Sequence, residues 1–214
     1  MRPRRTALWP ALALLLLAGC GGDDGNGATT AALPSGCSRV SAPPPKQVRL
    51  SAPSTTLRGP ASATVETSCG SFTIALDTAR APKTASSFAY LARQGVYDDT
   101  LIHRIIPGFV VQGGDPAGSG TGGPGYTVDE HPPRNLSYTR GVVAMAKSAV
   151  EPPGRSGSQF FVVTAADAGL TPDYALIGRV SGGLDVVQGI EQLGTQSGRP
   201  TAPVIIRRIE IQSG

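Results

Sequence analysis

From Ala63 to the C-terminus the chain is cut into short apolar or alternating runs: TVET, SFTIAL, TLIHRII, FVVQ, GVVAMA, SQFFVVT, YALIGRV and VIIRRIEI. Each is closed by glycine, proline or polar residues, and this pattern predicts strands, with SCG between the first two marking a hairpin. Only two segments carry helical spacing. APKTASSFAYLARQG has Pro82 at a helix start, Phe88, Leu91 and Ala92 on one face, and Gly95 as a stop. GLDVVQGIEQLG places Val186, Val187, Ile190 and Leu193 together. So many short strands with so little helix leave long edges to hide, and a closed, mostly antiparallel barrel hides them. About 150 residues suffice for one such core.

The first twenty residues are a targeting segment. MRPRR is a positive leader, and TALWPALALLLLA is apolar but shorter than the roughly 20 residues needed to span a bilayer. The apolar stretch ends in Leu17-Ala18-Gly19-Cys20, which resembles a bacterial lipoprotein signal. Cys20 is then the lipidation site, and the protein is extracytoplasmic, lipid-anchored to a bacterial cell membrane. A plain secretory signal and a short membrane anchor are the competing readings. Residues 21–62 are rich in Gly, Pro, Ser, Thr and Ala. With few large apolar side chains to offset ordering entropy, they are expected to be a flexible tether, with a reach of ~35 Å. Residues 63–214 are the folded domain.

The net charge is +4, but Arg2, Arg4 and Arg5 belong to the leader, so the remaining chain is nearly neutral. No basic cluster with interleaved aromatics appears, which argues against a nucleic-acid partner. Beyond Cys20 only Cys37 and Cys69 remain. Outside the cytoplasm a bridge between them is favoured over two free thiols. His103 and His131 are the only histidines and there is no CxxC pair, so no metal is expected.

Six motifs occur in order: APKTASSF, GVYDDTLIHRIIPGFVVQGGDP, GTGGPGY, GVVAMA, GSQFFV and YALIGRV. Together they closely resemble the cyclophilin family of peptidyl-prolyl cis-trans isomerases, over essentially Ala63 to Gly214. The resemblance implies a mainly β fold: a closed eight-stranded antiparallel barrel capped by two helices, with a substrate groove on an outer face. It also implies a monomer that needs no cofactor and takes proline-containing polypeptides as substrates.

On that resemblance Arg104 is the catalytic donor, with Gln112 orienting it and Phe109 beside it. Phe109, Phe161 and Leu170 cradle the proline ring, and Val110 takes a pocket position. Ala146 and Lys147 supply the backbone that pairs with the peptide before the proline. Gln159 lines the groove, and Tyr174 stands where histidine is common. Strict alternation sends Phe109, Val111 and Gly113 one way and Val110 and Gln112 the other. A bulge or twist is therefore required to bring Phe109 and Gln112 into one groove. Phe160 and Phe161 must face opposite ways, one into the core.

Departures from the family pattern are Ile102, Gly169 and Ile177 at positions that often hold aromatics, and Lys147 in place of a common asparagine. Gly169 opens one wall of the groove and argues against tight cyclosporin binding. His103 reads as a structural, hydrogen-bonded neighbour of Arg104. GSGTGGPG (Gly118 to Gly125) is followed by prolines rather than a helix, so it reads as a flexible loop, not a phosphate cradle. GRSGSQ is not a nucleophile elbow, since Ser158 stands at its fifth position. VDEHPP and MAKSAVEPPGRSG read as surface loops. The alternative function is a non-catalytic proline-peptide binder, a chaperone or interaction module that keeps the pocket without accelerating rotation.

Overall fold

The computed structural model describes residues 32–214; the leader and Cys20 lie outside the described residues. β1 (Ala61–Thr67) and β2 (Gly70–Leu76) form the expected hairpin. They are followed by α1 (Pro82–Arg93), β3 (Thr100–Leu101), β4 (Arg104–Ile106), β5 (Val110–Gly113), β6 (Val128–Asp129) and β7 (Val142–Met145). β8 (Arg155–Ser156), β9 (Phe160–Val163), β10 (Leu176–Gly182), α2 (Leu184–Glu191) and β11 (Ile205–Ser213) complete the order. Nine strands form one sheet in the order β3-β11-β1-β2-β10-β7-β9-β5-β4, and β6 pairs with β8 in a separate ribbon. Every ladder is antiparallel.

Among the described residues the fold is thus mainly β with two helices, but the sheet is a curled one of nine strands rather than a closed eight-stranded barrel. The cause lies in TLIHRII, one run in the sequence and two strands in space. Its first half, β3, pairs with β11. The Ile102 N–H then turns to the Val204 carbonyl at 2.9 Å and the Ile105 N–H to that of Gly198 at 2.8 Å. Its second half, β4, pairs with β5. The two ends of the sheet are therefore consecutive pieces of chain with no ladder between them. An isolated bridge from Leu101 to Asp115 links the β3 margin to the chain just past β5.

Inside the curl, Phe88, Tyr97 and Phe160 pack with ring centroids 5.2 to 5.6 Å apart. Each such side chain contributes roughly 1.5–3 kcal/mol on burial. Phe88, Leu91 and Ala92 of α1 and Val187, Ile190 and Leu193 around α2 are buried as the periodicity predicts; Val186 is only half buried. α1 packs against β11 and β10, and α2 against β2, β5 and β4. Proline opens α1 at its first turn, where no acidic residue stands. Glu130, from the loop after β6, supplies the missing anion. Its carboxylate accepts the Lys83 N–H at 3.1 Å and the Thr84 N–H at 2.7 Å, satisfying free helix-end donors. The VDEHPP and MAKSAVEPPGRSG segments, read as surface loops, hold β6 and β8 and this cap.

Residues 32–60 have no helix or strand, yet this part of the expected tether does not hang free. It runs along the domain as a strap, with the Ser38 N–H on the Ser68 carbonyl and the Leu57 N–H on Ser86 Oγ, both 2.7 Å. Leu33, Val48, Leu50 and Leu57 pack against the main core. Cys37 and Cys69 are joined by a disulfide, which ties the strap to the β1–β2 turn. The few apolar side chains here suffice because they need only cover a surface already built.

Candidate functional site

The outer face of β4, β5 and β9 carries Arg104, Val110, Gln112 and Phe161, and the turns and loops beside these strands carry Phe109, Ala146, Lys147, Gln159, Leu170 and Tyr174. Arg104 and Gln112 are register partners, as are Gln112 and Phe161. Arg104 Nη1 donates to Gln112 Oε1 at 3.1 Å, Gln112 Nε2 to Gln159 Oε1 at 3.2 Å, and Gln159 Nε2 to the Gly122 carbonyl at 3.1 Å. Each amide accepts at its oxygen and donates at its nitrogen, so both are fixed in orientation and the guanidinium is held by one edge.

Beside this chain lies an apolar floor. Val110, Phe161, Tyr138, Val142 and Ala144 are buried in a second cluster, separate from the main core, with Phe109, Leu170, Tyr174 and Ala146 packed on it half exposed. Phe160 faces the main core and Phe161 this cluster, as alternation requires. Phe161 and Tyr174 meet edge to face at 5.5 Å. Burial pushes the Tyr138 phenol up to about 12; its hydroxyl donates to the Tyr174 carbonyl at 2.6 Å and accepts the Tyr174 N–H at 3.0 Å.

Phe109 departs from simple alternation. It sits in the turn before β5, and its carbonyl accepts both the Thr164 and the Ala165 N–H, at 2.9 and 3.3 Å. Two residues opposite one is the hydrogen-bond mark of a bulge. The extra residue is on the Thr164–Ala165 side; Phe109 itself, still in the turn, packs with Val110 on the outer floor, and the Arg104 guanidinium carbon lies 5.9 Å from its ring centre.

A groove of about 760 Å³ adjoins the floor, lined by Gln112, Gln159, Ala146 and Lys147 together with the glycine-rich loop. Arg104, Phe109, Phe161, Leu170 and Tyr174 are not among its walls; they lie beside it. Lys147 stands at the junction, its ammonium 5.5 Å from the Tyr174 ring. At Gly169 no atom of the described residues lies within 4 Å of where a side chain would begin, so they leave that margin open.

Sequence reasoning missed Asp115, the organiser of the loop it read as flexible. Its carboxylate accepts the N–H groups of Ala117, Gly120 and Gly122 and the Ser119 hydroxyl. Burial raises its pKa, but these bonds outweigh burial and hold it below the usual carboxylate value. Gly122 approaches so closely that a Cβ would lie 2.1 Å from Asp115 Oδ1. An acid followed by GSGTGG was the available signal. His103 is less well bonded than expected. Its Nδ1 is buried without a hydrogen-bond partner among the described residues, and its Nε2 lies 3.5 Å from Gln112 Nε2. Burial lowers its pKa, which keeps the ring neutral at pH 7. Among the described residues no group of three or more His, Cys, Asp or Glu is placed to hold a metal ion.

A family model described as cyclophilin type peptidyl-prolyl cis-trans isomerase/CLD matches residues 62–211. A peptidyl-prolyl cis-trans isomerase-like 1 protein of Aspergillus niger is 42% identical over 151 residues, 68% of this chain and 91% of that protein. The Arabidopsis thaliana isomerase CYP18-2 is 36% identical over 157 residues, 71% of this chain and 94% of that one. Among solved structures, a cyclophilin type isomerase of Cryptosporidium parvum matches with TM-score 0.66 and 31% identity, covering 73% of this chain and 99% of its own. With its sheet, outer site and sequence in agreement, the chain belongs to the cyclophilin-type peptidyl-prolyl cis-trans isomerase family.

Proposed function

We propose that this domain accelerates rotation about X–Pro bonds in secreted or envelope proteins, with Arg104 as the group that acts on the rate. Twisting the bond costs about 18–20 kcal/mol because amide conjugation is lost. No covalent bond breaks, so preferential binding of the twisted form is sufficient. As conjugation fades, the lone pair returns to the prolyl nitrogen, which becomes a better acceptor. A guanidinium aimed there stabilises the twisted state more than either planar one. Arginine suits this task because it stays charged and presents a rigid fork.

The observation that carries the reading is the Arg104 guanidinium, bonded to Gln112 at 3.1 Å and set over Phe109 beside an apolar floor. Phe109, Phe161, Leu170 and Val110 take the proline ring, with Tyr174 at the margin. Gln112 orients the guanidinium, and Ala146, Lys147 and Gln159 receive the residues before the proline. The Cryptosporidium relative was also solved in the presence of the dipeptide Ala-Pro, which supports this substrate class. For location, Leu17-Ala18-Gly19-Cys20 and the Cys37–Cys69 disulfide support an extracytoplasmic protein lipid-anchored at Cys20 on a bacterial membrane.

The test is a protease-coupled assay of the full chain on an X–Pro peptide, run beside a binding measurement on the same peptide. Acceleration by the wild type and its loss in Arg104→Ala support the enzyme. Binding with an unchanged isomerisation rate makes the protein a non-catalytic binder. For the anchor, Cys20→Ala should leave the membrane fraction; a variant that still sediments with membranes excludes lipid at Cys20.

A further inference from the structure

We infer that the strap segment Lys46–Leu50 is a positioning element for the groove, and that the Cys37–Cys69 disulfide is its latch. The inference rests on the isomerase reading above and concerns what holds that site in shape.

Among the described residues the loop from Pro116 to Gly125 has no strand partner. On its front, the Gly122 carbonyl takes the Gln159 amide, the last bond in the chain that begins at Arg104. On its back lies the strap. The Lys46 N–H donates to the Pro116 carbonyl and the Leu50 N–H to the Pro124 carbonyl, each at 2.8 Å. These two bonds grip the loop at both ends. Between strap and loop the backbones nearly touch: at Gly125, φ +91°, a Cβ would stand 3.1 Å from Arg49 Cα.

The strap is itself seated. Val48 and Leu50 pack on the core, and the Lys46 ammonium donates to the carbonyls of Gly95 and Asp98 just past α1. Asp115 orders the loop from within, but nothing else in the described structure braces its outer side with main-chain bonds. The disulfide links residues 32 apart in sequence and encloses the strap between them. A segment so enclosed has less freedom to gain on detaching, since its ends stay close. Strap, loop and glutamine chain are therefore contiguous, and loosening the first loosens the groove wall that faces the residues before the proline.

The substitution Lys46→Pro removes one grip, because proline has no N–H, and also removes the ammonium. Lys46→Arg keeps both and should behave as wild type. NMR exchange spectroscopy of the full chain would compare a peptide with three residues before proline against a capped Ala-Pro. For Lys46→Pro the longer peptide should lose about five- to tenfold in catalysed exchange and the short one less than about twofold, the scale of one hydrogen bond. Hydrogen exchange at the Gly120 and Gly122 amides should quicken in Lys46→Pro and in Cys37→Ser/Cys69→Ser, while β1 and β2 stay protected. Equal losses on both peptides, or unchanged protection in the loop, overturn the positioning role. A wild type inert on both peptides overturns the isomerase reading itself, and this inference with it.

Discussion

Arg104 and Gln112 face each other across the β4–β5 ladder, the guanidinium donating to the amide oxygen at 3.1 Å. Two short strands thus do what a long flexible side chain cannot do alone. They hold a cation at one angle above the apolar floor, and among the described residues its other N–H groups have no hydrogen-bond partner.

Arg104→Ala should lower kcat/KM by about 10²–10³-fold, the loss typical of a donor that acts only in the transition state. Arg104→Lys keeps the charge without the fork and should recover only a small part. Protease-coupled kinetics with circular dichroism of each variant checks this. An unchanged rate in a folded Arg104→Ala removes Arg104 from the mechanism.

Gln112→Leu leaves Arg104 in place but unanchored, and cuts the chain to Gln159 and Gly122. A loss of about tenfold in kcat/KM is expected, the lower range for a hydrogen bond to a charged group. Combined with Arg104→Ala it should add little, because both changes remove one function. A fully additive double variant would show that the two residues act separately.

The adjacent phenylalanines should separate stability from binding. Phe160→Leu thins the packing with Phe88 and Tyr97 and should lower the denaturation midpoint while leaving activity per folded molecule near wild type. Phe161→Leu thins the outer floor against Tyr174 and Tyr138 and should raise KM as well. Urea unfolding and kinetics on both variants check the contrast; a KM effect confined to Phe160→Leu would reverse the assignment.

Asp115 ties the groove loop to pH. Its carboxyl lies lower in the folded state than its ordinary value of about 3.9. The unfolded chain therefore takes up the proton first as pH falls. The stabilisation is complete above about pH 4 and disappears as pH drops through the folded value. Asp115→Asn should be less stable by about 2 kcal/mol or more at pH 7, since one amide oxygen replaces a charged acceptor of several donors. Its stability should also vary less between pH 5 and pH 3 than that of wild type. Parallel curves for the two proteins would contradict this account.

Removing the disulfide should cost about 3–4 kcal/mol by chain entropy for a 32-residue separation. Denaturation of Cys37→Ser/Cys69→Ser against the oxidised wild type measures it. A difference below about 1 kcal/mol would mean that the bridge restricts the unfolded chain little.

The local chemistry was legible because it depends on neighbours in sequence. Pro82 opens α1 and Gly95 follows its end, Phe88 and Leu91 point inward, and period two sends Phe160 and Phe161 apart. The resemblance carried by HRIIPGFVVQGGDP names Arg104, Phe109 and Gln112, and the structure places the three side by side. Where one segment met another, the sequence was silent. TLIHRII reads as a single strand, and only the competing partners β11 and β5 split it at Ile102 and His103. The strap reads as tether because its own apolar content is low, and only a ready-made surface gives Val48 and Leu50 somewhere to pack. Asp115 is the local exception: the N–H groups of Ala117, Gly120 and Gly122 that converge on its oxygens lie close behind it in sequence, in a loop whose path periodicity does not describe.

From the sequence follow most of the longer strands, both helices of the folded domain and the inward and outward faces of Phe160 and Phe161. Tertiary structure alone decided how many strands the sheet holds, where it opens, that Phe109 crosses to the outer face, and that residues 32–60 are strapped down. The reason is range. Periodicity and turn chemistry act over a few residues, whereas strand pairing, a bulge and a docked strap are settled by groups dozens of residues apart competing for the same hydrogen-bond partners.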